Sequence, residues 1–160
     1  MSGRFSTCGP KHLARKNELV AALAKLHSPR DILLVETGHL DAERLTATLR
    51  VLFGYNAQIR TAATLPDAVD CFGGEHPNVV FLDDSPESSA DAEKSIPMLR
   101  GAGFSGPIIV VSEKITSTRR ARLLQSGANE VIRRDDVDSV SVAEALACAR
   151  QRQTGADDAI

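Results

Sequence analysis

The chain reads Pro77-Asn78-Val79-Val80-Phe81-Leu82-Asp83-Asp84-Ser85-Pro86 near its centre. Four consecutive apolar residues between turn-forming residues are typical of a strand that is buried on both faces of a parallel sheet. An unpaired carboxylate is too costly to bury inside such a strand. We therefore predict that the strand ends at Leu82 and that Asp83 and Asp84 follow it, open to solvent. In open α/β sheets this edge binds ligands, and Asp83 is the first candidate for a functional residue.

Apolar runs predict four further strands, at 32–35, 57–61, 107–111 and 130–132. Helical periodicity lies between and after them, at 40–53, 66–72, 89–100, 116–126 and 140–149. Each connection is long enough for a crossover between parallel strands. The alternation predicts an α/β fold with a five-stranded parallel sheet that is covered by helices on both faces. Of the common doubly wound arrangements, we expect the flavodoxin-like strand order 2-1-3-4-5.

Charge is distributed unevenly along the chain. Residues 1–30 hold six Lys or Arg and one acid, whereas residues 31–160 hold thirteen Lys or Arg and twenty acids. This shift predicts a basic N-terminal extension over 1–30, helical from about 11 to 27, and one domain over 31–150. The polar residues 151–160 are expected to form a flexible tail. The leucines of the extension could pack on the domain or pair with a second copy in a homodimer, or the basic helix could lie on an acidic partner.

Several classes of function are disfavoured by composition. Cys8, Cys71 and Cys148 match no metal spacing, which favours reduced thiols in a cytoplasmic protein. No apolar run is long enough for a membrane span, and residues 1–30 lack the apolar core of a signal peptide. The domain is acidic and no helix-turn-helix follows residue 150, so we do not expect DNA binding.

Polar residues follow four of the five predicted strands. They are Glu36, Asp83, Ser112 and Arg134. In a sheet of order 2-1-3-4-5, the ligand crevice opens where the strand order reverses, between the first and third strands. The sequence therefore predicts a polar site at the carboxyl edge.

These residues, in this order and spacing, resemble the receiver domain of response regulators in two-component signalling. The resemblance covers about 31–150 and rests on Ile32-Leu33-Leu34-Val35-Glu36, residues 77–83, Val110-Val111-Ser112, and Gly127-Ala128 followed by Arg134. It implies that Asp83 accepts a phosphoryl group from a histidine kinase or a phosphotransfer protein. A carboxylate is a competent nucleophile for such a transfer.

The resemblance also implies roles for the other polar residues. Glu36, Asp83 and the backbone carbonyl of Ser85 would hold Mg²⁺, which prefers oxygen ligands. The hydroxyl of Ser112 would bond one phosphoryl oxygen, and the cation of Arg134 would pair with another. Phosphorylation would draw the hydroxyl inward, and the neighbouring surface would follow.

The chain departs from the family pattern at several positions. Thr37 stands where the family usually has a second acid, so we expect weak Mg²⁺ binding. Arg134 replaces a lysine, Asp135 replaces a proline, and Pro86 follows Asp83 by three residues where the family more often takes four. Asp84 could supply the missing charge, but successive residues of a strand point to opposite faces.

We interpret the chain as a stand-alone receiver whose output is protein binding through its fourth helix, fifth strand and fifth helix, as the family implies. One alternative is a pseudo-receiver that binds partners without phosphorylation. Another is a small α/β phosphatase or phosphotransferase that uses Asp83. Haloacid-dehalogenase-type enzymes need a second aspartate two residues after the nucleophile, where this chain has Ser85. The plainest interpretation of Arg119, Arg120 and Arg122 is a solvated helix face.

Overall fold

The computed structural model describes residues 29–35, 42–84 and 91–158, with side chains up to residue 150. Five parallel strands form one sheet of order β2-β1-β3-β4-β5, which confirms the predicted fold class. The strands are β1 (Asp31–Val35), β2 (Gln58–Ala62), β3 (Val79–Asp84), β4 (Ile108–Ser112) and β5 (Glu130–Arg133).

Within the described residues, five α-helices connect or follow these strands. They are α1 (Ala42–Phe53), α2 (Leu65–Asp70), α3 (Ala92–Gly101), α4 (Ser117–Ser126) and α5 (Ser139–Asp158), and short 3₁₀ turns cover Cys71–Gly73 and Arg134–Asp136. The first turns of α2, α3 and α4 are capped by the side chains of Thr64, Asp91 and Thr116, which accept hydrogen bonds from backbone N–H groups. The last helix is longer than predicted, since it ends at Asp158 and not at Ala149.

The core has two halves, one on each face of the sheet. Strand residues such as Leu34, Phe81 and Val111 pack with residues of α1 and α5. Their chain neighbours, such as Val35 and Leu82, pack with residues of α2, α3 and α4. This division follows from the alternation of side chains along a strand. None of the helices in the described ranges is long and apolar enough to cross a bilayer.

Arg100 at the end of α3 fixes the loops that lead into β4 and β5. Its guanidinium donates to the carbonyl of Phe104 at 3.0 Å, the carbonyl of Gly127 at 2.8 Å and Asn129 Oδ1 at 2.8 Å. Burial lowers the pKa of Arg100. Gly127 ends α4 at φ 119°, a left-handed conformation that favours glycine. These contacts set the positions from which β4 and β5 run to the carboxyl edge.

The end of β3 differs from the sequence-based prediction. The strand continues through Asp83 and Asp84, which pair with Val111 and Ser112 of β4. Asp83 is 1% exposed and Asp84 is fully buried, so the expectation that both carboxylates face solvent is wrong. Each carboxylate contacts an arginine, and this pairing offsets the cost of burial.

Candidate functional site

Asp83 and Arg134 meet at the carboxyl edge of the sheet. Arg134 opens the 3₁₀ turn directly after β5, and its Nη2 donates to Asp83 Oδ1 at 3.3 Å. The side chain of Asp83 is fully buried, whereas that of Arg134 is 20% exposed. A guanidinium beside a buried carboxylate stabilises the negative charge and has further donors for a second anion. The structure therefore brings together two of the predicted site residues.

Asp84 lies on the other face of the sheet and has its own partners. Its Oδ2 accepts a hydrogen bond from Ser112 Oγ at 2.9 Å, and its Oδ1 accepts one from the backbone N–H of Ala92 at 3.1 Å. Asp84 and Ser112 are register partners in parallel strands, so their side chains share a face. The prediction that Asp84 points away from the side of Asp83 agrees with this register.

Arg119 on the first turn of α4 completes the contacts of Asp84. Its Nη2 lies 2.6 Å from Asp84 Oδ1, and its Nε lies 3.3 Å from Asp84 Oδ2, so the guanidinium grips both carboxylate oxygens. The same guanidinium donates to Asp91 Oδ1 at 2.9 Å and to Glu93 Oε2 at 2.7 Å. We call Asp84, Asp91, Glu93, Ser112 and Arg119 the Arg119 cluster.

Two members of the Arg119 cluster, Arg119 and Asp91, have pKa values shifted in favour of their ionised forms. The hydrogen bond to Asp84 raises the pKa of Arg119, although burial acts in the opposite direction, and the hydrogen bond to Asp91 adds to the rise. Burial raises the pKa of Asp91, but hydrogen bonds from Arg119 and from the Glu93 N–H outweigh it, so the pKa of Asp91 is lowered. The cluster is thus a network of paired charges.

The interpretation of Arg119 as part of a solvated helix face is wrong. Its side chain is 16% exposed, whereas that of Arg122 on the same helix is 62% exposed. Arg120 donates to Glu130 Oε1 at 2.6 Å. The predicted start of this helix at residue 116 places Arg119 on its first turn, close in the chain to the carboxyl end of β4. That position was the available signal for a contact with Asp84.

Ser112 contacts Asp84, although the resemblance assigns it a role at Asp83. Its Oγ also lies 3.1 Å from the carbonyl oxygen of Lys114. The structure therefore brings Arg134 to Asp83 and Ser112 to Asp84, and the predicted residues do not converge on one carboxylate. The role of Ser112 toward a phosphoryl group stays a prediction.

Of the three predicted metal ligands, the structure describes Asp83. Glu36 and Ser85, like Thr37, lie outside the described residues. Within 29–35, 42–84 and 91–158, no group of three or more His, Cys, Asp or Glu could hold a metal ion. Asp83 is the predicted ligand that the structure does describe, and its carboxylate oxygens suit the preference of Mg²⁺ for oxygen.

A groove of about 420 Å³ lies between α4, β5 and α5. Its lining combines apolar and charged side chains, among them Ile115, Arg120, Glu130, Val131, Ala145 and Cys148. The exposed thiol of Cys148 forms no disulfide. This is the surface that the resemblance assigns to protein binding.

Comparisons with known proteins give no match at the level of sequence. No protein-family model matches the chain, and no curated protein matches it significantly.

Solved structures, in contrast, match most of the chain. A receiver domain of a DNA-binding response regulator from Colwellia psychrerythraea is 23% identical, with a TM-score of 0.61 over 73% of this chain and 94% of that one. A CheY-like receiver domain protein from Methanospirillum hungatei is 19% identical, with a TM-score of 0.60 over 80% and 98%. A two-component response regulator from Clostridium difficile is 16% identical, with a TM-score of 0.61 over 76% and 97%. Similarity at these identities establishes the fold: the chain has the fold of response-regulator receiver domains, as its sequence predicted.

Proposed function

We propose that the chain acts as a receiver that accepts a phosphoryl group on Asp83 and signals by binding another protein. The donor would be a histidine kinase or a phosphotransfer protein. One observation carries the proposal: the buried carboxylate at the end of β3 lies 3.3 Å from a guanidinium at the end of β5. We assign this role to residues 31–150, with 1–30 as a basic extension outside it.

The chemistry requires a nucleophile and compensation of charge. An oxygen of Asp83 would attack phosphorus while the bond from phosphorus to the donor group breaks, which leaves an aspartyl phosphate. Arg134, whose guanidinium already contacts Asp83, would pair with the added phosphoryl oxygens. Mg²⁺, when bound by Asp83 with Glu36 and the carbonyl of Ser85, would offset further negative charge. Because Asp83 is buried, transfer requires this edge of the sheet to open.

The pseudo-receiver is a second candidate, and the hydrogen bond of Ser112 favours it. Ser112 Oγ already contacts a carboxylate, that of Asp84, and Arg134 already contacts Asp83. Ser112 and Arg134, which would bind a phosphoryl group, thus already have carboxylate partners without one. Under this alternative the groove between α4, β5 and α5 binds its partner constitutively.

Mass spectrometry after incubation with a small phosphodonor and Mg²⁺ separates these functions. A stable added phosphoryl mass on the natural protein supports the receiver. No added mass, together with partner binding that the donor does not change, supports the pseudo-receiver. Steady consumption of the donor would instead indicate a phosphatase or phosphotransferase.

A further inference from the structure

Ser112 is hydrogen-bonded to Asp84, on the face of the sheet opposite to Asp83. Its Oγ carries a single hydrogen and lies 2.9 Å from Asp84 Oδ2 and 3.1 Å from the Lys114 carbonyl oxygen. A charged carboxylate is a stronger acceptor than a neutral carbonyl. The hydroxyl hydrogen is therefore directed to Asp84.

Asp84 is itself fixed by two other elements. Arg119 of α4 contacts both of its carboxylate oxygens, and the backbone N–H of Ala92 at the start of α3 donates to one of them. The Asp84 side chain has no exposed surface, so water cannot replace a lost donor without local opening. Ser112 is thus attached to a carboxylate that has little freedom to follow it.

We propose that Asp84 and Arg119 are positioning residues that hold the Ser112 hydroxyl toward Asp84 and oppose its movement toward Asp83. The inference deepens the proposed function and rests on it for its biological meaning. Moving Ser112 away removes one donor from a buried carboxylate, and a phosphoryl group on Asp83 must outweigh that loss. Arg119, which fixes Asp84, thereby influences how readily Ser112 moves when Asp83 is phosphorylated.

The Arg119 cluster also connects the contact between Ser112 and Asp84 to the groove between α4, β5 and α5. Arg119 stands on the first turn of α4, and Arg120, the next residue along the helix, lines the groove between α4, β5 and α5. A change in the contact between Ser112 and Asp84 is therefore transmitted to the helix that borders the groove.

Amide hydrogen exchange in a double-mutant cycle tests the hold on Ser112 directly. The four proteins are the natural chain, Ser112→Ala, Arg119→Met and the double variant. Exchange is followed over residues 112–119, with β1 as an internal reference for global stability. We expect Arg119→Met to speed exchange in this segment by about tenfold or more, since a charge-assisted network is lost. In the Ser112→Ala background the same change should have a clearly different effect, because Arg119 and Ser112 both act on the carboxylate of Asp84.

A merely structural role for Arg119 gives a different result. Arg119→Met would then have the same effect with and without the Ser112 hydroxyl, and additive effects overturn the proposal. Arg119→Lys, which keeps a cation, should restore part of the protection. Arg122→Met is the matched control on the same helix, and its exchange over 112–119 should equal that of the natural chain.

The phosphodonor with Mg²⁺ then separates this inference from the proposed function. If Asp83 is phosphorylated, the change in exchange over 112–119 should be larger in Arg119→Met than in the natural chain, and an equal change counts against the proposal. If no phosphoryl mass is gained, the proposed function fails, while the cycle of unmodified proteins still decides whether Arg119 holds Ser112.

Discussion

The contact between Arg119 and Asp84 predicts a large and specific loss of stability. Arg119→Met removes the guanidinium but keeps an unbranched side chain in its place. Asp84 would then be a fully buried carboxylate with two neutral donors, Ser112 and the Ala92 N–H. Removing one partner of a buried ion pair costs about 3–5 kcal/mol. Arg119 retains 16% exposure, which admits some water, so we expect the lower end of that range.

Urea unfolding, followed by circular dichroism at pH 7, measures this loss. With a urea dependence of ~2 kcal/mol/M for a domain of this size, a loss of ~3 kcal/mol shifts the midpoint by roughly 1.5 M. Arg122→Met is the control: its side chain is 62% exposed, and its Nε lies 3.6 Å from Glu93 Oε1. That variant should lose no more than ~0.5 kcal/mol. Adding Asp84→Asn to Arg119→Met should recover stability, because the buried charge disappears. Equal losses for Arg119→Met and Arg122→Met would refute the reasoning.

Three further predictions concern acidity, metal and the extension. Asp91→Asn should destabilise the protein at pH 7. The loss of stability relative to the natural protein should become smaller in acid unfolding below about pH 4, because the pKa of Asp91 in the folded protein lies below its ordinary value of 3.8. A loss of stability that does not depend on pH would contradict this. Thr37→Asp should tighten Mg²⁺ binding and speed phosphorylation together, since a third carboxylate adds attraction of a few kcal/mol before desolvation is subtracted; a titration in which the natural protein binds Mg²⁺ equally tightly would contradict it. Deleting residues 1–28 should leave the sheet domain folded but change its melting temperature or subunit number, because a short amphipathic helix is marginal alone in water; light scattering and thermal unfolding that show neither change would refute it.

The sheet could be predicted because its signals are local. Runs such as 32–35 and 108–111 consist of consecutive apolar residues, and each is followed by residues that break a strand. Gly127 marks the end of α4 because its left-handed backbone is costly for other residues. These patterns depend on neighbours in the chain, and they suffice for the strands, the helices and the parallel sheet that they build.

The contacts of the two aspartates could not be predicted in the same way. The two carboxylates are buried because each is paired with an arginine that is distant in the chain. Arg134 is 51 residues away from Asp83, and Arg119 is 35 residues away from Asp84. Ser112 meets whichever aspartate shares its face, and a shift of one residue in strand register exchanges the two. Register is decided by packing across the whole sheet, so the sequence left the partner of Ser112 open.

The proposal that Asp83 is the phosphoacceptor is tested most directly by locating the added mass. The natural protein, Asp83→Asn and Asp84→Asn are each incubated with a small phosphodonor and Mg²⁺, and the intact masses and fragments are compared. We predict one phosphoryl group on Asp83 in the natural protein, none in Asp83→Asn, and retention of the group in Asp84→Asn, which keeps the shape of the residue. Phosphorylation that persists in Asp83→Asn, or that disappears in Asp84→Asn alone, would contradict the assignment.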